Sequence, residues 1–300
     1  MTTPSKIVIT GSSGRIGRAL YWRGVRQFRT FGLDLTPSSS TTHIADIREQ
    51  EVLLRLFEGA DVVFHAAALH APHVDVERDA QFRAINIDGT RTVFQAAQQV
   101  GVRTVVFSST TALYGYACQD PDKAVWIDEQ TTPAPRTIYH RTKLEAEAIV
   151  RSFASETLRA PIIRLSRCFP EPADQMAVSR LHRGVDYRDV AAAQFTAAQC
   201  TTSPSETFVV SGTTPFERSD CEALKTDAAA VIRARVPDLA QAFEQRGWAL
   251  PRSIDRVYDA SKAAGLLDWQ MEFGHADVLK QFDCGDFEVL PPEAKITKGE

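Results

Sequence analysis

The chain has 300 residues, 44% hydrophobic and 24% charged, with a formal net charge of −4. This describes a globular protein with a sizeable core, in one large domain or two unequal lobes. The slightly acidic balance excludes a basic surface for nucleic acid or an acidic membrane, and no apolar run approaches the roughly 20 residues of a membrane span. Met1 to Ser5 lead directly into the first predicted strand, so no signal peptide is expected. Cys118, Cys168, Cys200, Cys221 and Cys284 are an odd set without Cys-x-x-Cys spacing. They argue against a disulfide framework or a zinc site and favour a reducing cytoplasm. His70 and His73 have no neighbouring carboxylate or cysteine cluster, so no metal is expected.

Taken in order, the pattern alternates strand and helix. Lys6–Thr10 is short, β-branched and closed by Gly11, as in a buried parallel strand. Arg15–Val25 has helical spacing through Ile16, Leu20 and Val25. Phe28–Leu35 is a strand, Glu49–Phe57 a helix, Asp61–Ala66 a strand, and Ala80–Val100 one long helix. Arg103–Ser109 is a strand, Thr142–Glu156 a helix and Ala160–Leu165 a strand. The spacing predicts an α/β fold: a doubly wound parallel sheet with helices on both faces. Beyond residue 165 the alternation weakens. Residues 1–167 are expected to form a dinucleotide-binding core, with 185–212 and about 250–262 returning to it. Residues 168–184 and 213–290 are expected to form a smaller substrate lobe, and 291–300 a polar tail.

Gly11-Ser12-Ser13-Gly14-Arg15-Ile16-Gly17 joins the first strand to the first helix. Glycines there permit a tight turn and let a diphosphate reach backbone N–H groups at the helix N-terminus. Asp34, at the end of the second strand, is placed to accept adenosine ribose hydroxyls, or else is an exposed turn acid. A carboxylate there would repel a 2′-phosphate, favouring NAD over NADP; Arg15 is the counter-signal. Asp46 and Ile47 are placed to bracket the adenine. His65, Ala66 and Ala67 end a strand with small residues where backbone passes close to a cofactor, although His65 equally suits a core.

Tyr139 and Lys143 lie four apart on one helix face. An ammonium beside a phenol can lower its pKa and let it trade a proton with a sugar or alcohol hydroxyl.

These pieces, with Asn86, Gly89-Thr90, Ser108-Ser109-Thr110, Tyr114-Gly115, Arg164 and Asp259-x-Ser261-Lys262-Ala263, resemble the extended short-chain dehydrogenase/reductase superfamily, in its NAD-dependent epimerase/dehydratase branch. The resemblance implies a Rossmann fold and a bound nicotinamide dinucleotide. It adds Asn86 and Ser108 to the cofactor residues, Tyr139 as acid/base, and Lys143 as the residue holding the nicotinamide ribose. It also implies Thr110, with Ser109 as its neighbour and alternative, hydrogen-bonding the reacting oxygen. A homodimer through the helices near 80–100 and 140–155 follows from the same likeness.

Arg164 to Pro172 (Arg-Leu-Ser-Arg-Cys-Phe-Pro-Glu-Pro) is similar to a segment of uronate dehydrogenases, which oxidise a free hexuronate to a lactone. This chain departs from them in reaching Arg only at Arg180 after that segment, and in a longer 213–262 section more like nucleotide-sugar epimerases. The leading expectation is therefore NAD-dependent oxidation of a carbohydrate hydroxyl. Transient oxidation by an NDP-sugar epimerase is the alternative, and a non-catalytic dinucleotide sensor the third reading. His70, Thr111 and Arg180 are the expected substrate contacts beside Thr110 and Tyr139.

Overall fold

The structure, a computed structural model, describes residues 6–74 and 76–294. In chain order its strands are β1 Lys6–Thr10, β2 Arg29–Asp34, β3 His43–Ile44, β4 Val62–His65, β5 Thr104–Thr110, β6 Val125–Ile127, β7 Ile162–Leu165, β8 Thr207–Val210 and β9 Arg256–Tyr258. The helices are α1 Arg15–Gly24, α2 Gln50–Phe57, α3 Asp79–Arg83, α4 Thr90–Gln99, α5 Ile138–Phe153 and α6 Ala173–Ser179. They continue with α7 Tyr187–Gln199, α8 Cys221–Thr226, α9 Ala228–Arg235, α10 Pro237–Gln245, α11 Ser261–Leu267 and α12 His275–Asp283.

Seven strands form one parallel sheet in the order β3-β2-β1-β4-β5-β7-β8. Side chains alternate across it with the period of two that a strand imposes. Val8, Val63 and Val105 join the core under α2, α4 and α5. Ile7, Ile9, Phe64 and Val106 join the core under α1, α7 and α11. The chain leaves β1 toward β2 on one side and returns through β4 on the other, so the switch of direction opens a crevice at the carboxyl ends of β1 and β4.

The stretch 80–100 is not one helix. Six residues, Ala84–Gly89, widen into a π-type turn between α3 and α4. That turn carries Asn86 inward, where its side chain accepts from Leu69 N–H (2.8 Å) and donates to Leu69 O (2.9 Å) and Thr142 Oγ1 (3.1 Å). A buried amide with three partners outweighs regular helix pairing at this point. α5 begins earlier than its Glu/Ala-rich stretch suggests, because Thr137 caps it by accepting from His140 N–H.

α6 packs with Phe216, α8 to α10 and α12 around a separate apolar cluster, and β6 pairs with β9 in a small sheet beside it. α11 lies against the main sheet: Ala263, Leu267 and Trp269 are buried with Phe208. The return to the core therefore extends past 262. Of the expected tail, residues 291–294 form a turn, with Ala294 N–H donating to Pro291 O, and 295–300 lie outside the described residues, as do 1–5. No helix among the described residues is long and apolar enough to cross a membrane.

Candidate active site

The crevice is a cleft of about 640 Å³. One end is walled by Leu33–Thr36 and Ala45–Ile47, the floor by Gly11, Ser13–Gly17 and Ala66–Leu69, and the far end by His70, His73, Ser108, Ser109, Tyr139, Lys143 and Cys168–Pro170. Fourteen of the expected residues thus line one surface: Gly11, Ser13, Gly14, Arg15, Ile16, Asp34, Asp46, Ile47, Ala66, Ala67, His70, Ser108, Tyr139 and Lys143.

The glycine turn is built for close approach. Gly11 has φ +73°, and a Cβ on it would lie 2.5 Å from Ala67 N. A Cβ on Gly17 would lie 2.0 Å from Gly11 O. The first turn of α1 has no side-chain cap and no acidic residue. Its leading N–H groups have no intrahelical acceptor, so they and the helix dipole offer a seat for an anion. Asp34 lies at the adjacent strand end, its carboxylate accepting from Ser13 N–H (3.0 Å) and Thr36 N–H (3.0 Å). A dinucleotide fits this donor set: diphosphate at the α1 N-terminus, ribose hydroxyls at Asp34. Asp46 is engaged by Arg48 through Nε (3.0 Å) and Nη2 (2.6 Å), which holds its pKa low. Arg15 turns away from Asp34; its guanidinium stacks on Tyr187 and pairs with Glu288.

Two residues expected at the cofactor do not reach the cleft surface. His65 is 1% exposed. Thr90 donates to Asn86 O (2.7 Å), so it accepts from His65 Nε2–H (3.0 Å), and Nδ1 accepts from Thr10 (2.7 Å). Burial pushes its pKa down to about 3, leaving a neutral core imidazole. Asn86 is spent on holding Leu69, and so shapes the cleft from behind. Thr110, Thr111 and Arg180 are also buried and do not line it, Thr110 lying behind Tyr139. Thr111 bonds Tyr258, and Arg180 pairs with Asp186 (3.1 Å) in the turn that joins α6 to α7.

On α5 the residues Tyr139, Lys143 and Glu147 form one row, each a turn apart and all buried. Tyr139 is hydrogen-bonded by Thr110 at the end of β5. Burial raises the phenol pKa to about 12 against the pull of Thr110. Lys143 Nζ donates to Ser108 O (2.7 Å) and lies 4.0 Å from the Phe107 ring centroid. Burial lowers its pKa to about 7, opposed by Glu147. The spacing suggests that Lys143 lowers the phenol, but here the opposing pull comes from Thr110 and burial outweighs it.

Glu147 and Arg164 form the support that sequence reasoning missed as a unit. Glu147 accepts from Arg164 Nε (3.0 Å) and Nη2 (2.8 Å), from Ser109 Oγ (2.6 Å) and from Arg151 (2.9 Å). Arg164 also donates to Tyr114 OH (3.0 Å). The signal available was an acid one turn beyond Lys143 on a face that must be buried. Glu147→Ala should cost about 3–5 kcal/mol in urea unfolding, because it strands a buried guanidinium. Glu147→Leu combined with Arg164→Met should recover most of that loss.

A doubly wound sheet whose crevice joins a glycine turn to a buried Tyr–Lys pair defines a Rossmann-type protein. Residues 7–206 match the family model described as the NAD dependent epimerase/dehydratase family, and the chain belongs to that family. It is 30% identical over 150 residues to an N-acetyl-alpha-D-glucosaminyl-diphospho-ditrans,octacis-undecaprenol 4-epimerase of Escherichia coli O157:H7, covering 49% of this chain and 43% of that one. It is 27% identical over 164 residues to an L-arabinose 1-dehydrogenase (NAD(P)(+)) of Haloferax volcanii, covering 50% and 61%. The matches thus span about half of these curated relatives' lengths. The fold is shared with MoeE5, solved in complex with UDP-glucose and NAD, at a TM-score of 0.69 and 19% identity over 93% of this chain and 98% of that one.

Proposed function

We propose that the protein is an NAD-dependent oxidoreductase that oxidises a hydroxyl of a small sugar or sugar-derived alcohol. The carrying observation is the extent of the cleft. Its far wall is Cys168–Pro170, shortly after β7, and among the described residues none beyond Pro170 lines it. A volume of about 640 Å³ lies within the usual range for one ligand site, about 300–1,000 Å³, and suits a dinucleotide with a small substrate rather than a second nucleotide. When bound, the nicotinamide supplies the carbon that takes or returns a hydride. Tyr139 takes the substrate hydroxyl proton, Thr110 holds the phenol and the reacting oxygen in line, and Lys143 holds the nicotinamide ribose.

The epimerase reading is favoured by the Escherichia coli relative. At its end, the 213–262 section that also suggested it serves as scaffold: Asp259 accepts from Trp126 Nε1 (2.8 Å) and Lys262 pairs with Glu206. A panel of uronates, aldoses and UDP-sugars, scored for NADH formation and for epimers, separates the two. Epimers without NADH accumulation would overturn net oxidation. Cofactor choice is tested at Asp34. Asp34→Asn should raise the NADP-to-NAD affinity ratio about tenfold, since it removes a carboxylate facing the 2′-position. An unchanged ratio in equilibrium binding would discount that role. We also propose a cytoplasmic homodimer, consistent with five unpaired cysteines and checked by sedimentation.

A further inference from the structure

Arg15 is the first residue of α1, beside the N–H groups where the diphosphate is read to sit. Its guanidinium lies 4.6 Å from the Tyr187 ring centroid and pairs with Glu288. The two side chains are only 18% and 11% exposed. Arg15 Nε is buried with no hydrogen-bond partner among the described residues, so the guanidinium keeps a donor to spend. Glu288 comes from a distant part of the chain. It is carried by a segment anchored through Leu290, whose N–H donates to Glu171 O (2.9 Å) and whose O accepts from Ala173 N–H (2.9 Å). Val289 is buried with Met176 in the C-terminal core. The C-terminal segment therefore reaches across to the glycine turn and places a carboxylate against the one arginine of that turn.

We propose that Glu288 is a built-in counter-ion that competes with the dinucleotide's diphosphate for Arg15, so that the C-terminal segment acts as a clasp setting cofactor affinity and exchange. A guanidinium already paired with a carboxylate contributes less to binding a diphosphate. The device suits net oxidation, in which every turnover must release NADH. An epimerase, which keeps its cofactor, gains nothing from it. The inference rests on the dinucleotide reading of the cleft.

The test is equilibrium binding of NADH and of ADP-ribose to wild type, Glu288→Gln, Arg15→Gln and the double variant, at two salt concentrations. Glu288→Gln should bind both ligands about fivefold more tightly at low salt, with the gain shrinking as salt rises. In the Arg15→Gln background the same substitution should change nothing. Unchanged or weaker binding by Glu288→Gln, or an equal gain without Arg15, overturns the clasp while leaving the cofactor site standing. Should Arg15→Gln fail to fold, the salt dependence of Glu288→Gln alone decides, and a salt-independent gain counts against the proposal. Wild type that binds neither ligand overturns both readings.

Discussion

Tyr139→Phe is expected to lower turnover about a thousandfold while leaving NADH affinity within about twofold of wild type. The ring sits in a small apolar cluster with Phe82 and Ile138, which phenylalanine fills equally well. What is lost is the hydroxyl, and with it the proton acceptor. The phenol's pKa of about 12 gives the reaction a direction in pH. Oxidation needs the phenolate, so its rate should climb as pH rises above neutrality, whereas reduction needs the phenol and should not. Lys143 has the opposite trend, losing its proton above a pKa of about 7 and with it a charged grip on a ribose hydroxyl. Cofactor affinity should therefore weaken on the alkaline side while the chemical step improves. Steady-state profiles of kcat and KM for NAD separate the two. A Tyr139→Phe enzyme within about tenfold of wild type would remove Tyr139 from the acid/base role.

Mild acid should destabilise the fold by at least about 1.4 kcal/mol per pH unit between roughly pH 6.5 and 4.5, or about 3 kcal/mol or more in all. His65 and His182 are 1% and 3% exposed, and burial drives both pKa values down to about 3. His182 Nδ1 pairs with Arg256 O (2.8 Å), so that nitrogen carries the proton of a neutral ring. The unfolded chain protonates both near pH 6.5 while the folded chain does not, so falling pH favours unfolding. Two such groups would cost about 2.8 kcal/mol per unit, and His70 and His140, pushed down to about 4 by burial, add to the same trend. Asp189 acts in the other sense: burial raises its pKa to about 6, so the folded state gains a proton first and offsets roughly one histidine. The paired carboxylates Glu147 and Asp186, whose pKa values are lowered, lose their stabilising charge only further into the acid range. Urea midpoints measured across this range should fall steadily, and His182→Asn should flatten the slope. A pH-independent midpoint between 6.5 and 4.5 would contradict neutral burial of these rings. The total is a large share of the roughly 5–15 kcal/mol that holds a domain together.

Local patterns carried the nucleotide half of the molecule. β1 and the Gly11–Gly17 turn are legible because a parallel strand needs a continuous apolar run and a tight turn needs glycine, and both constraints act within a few residues. Tyr139 and Lys143 share a face because helix geometry alone puts them there. The break at Ala84–Gly89 was not legible, since it depends on Asn86 finding Leu69 and Thr142 across the fold. Arg180 looked free for an anion until α6 and the turn before α7 brought Asp186 to it. His65 suited a cofactor or a core equally well, and two threonines from other elements decided for the core.

By itself, then, the sequence determined the alternation of strands and helices as far as residue 165, the glycine turn and the spacing of the Tyr–Lys pair. These follow from backbone sterics and helical period, which every short stretch carries within itself. Only the tertiary structure decided which charges are spent. It set Arg164 on Glu147, Arg180 on Asp186 and Arg15 on Glu288, and it raised the phenol and lowered the ammonium by taking both out of water. Partner choice and desolvation depend on residues from 6 to 273 positions apart, and no local pattern reports them.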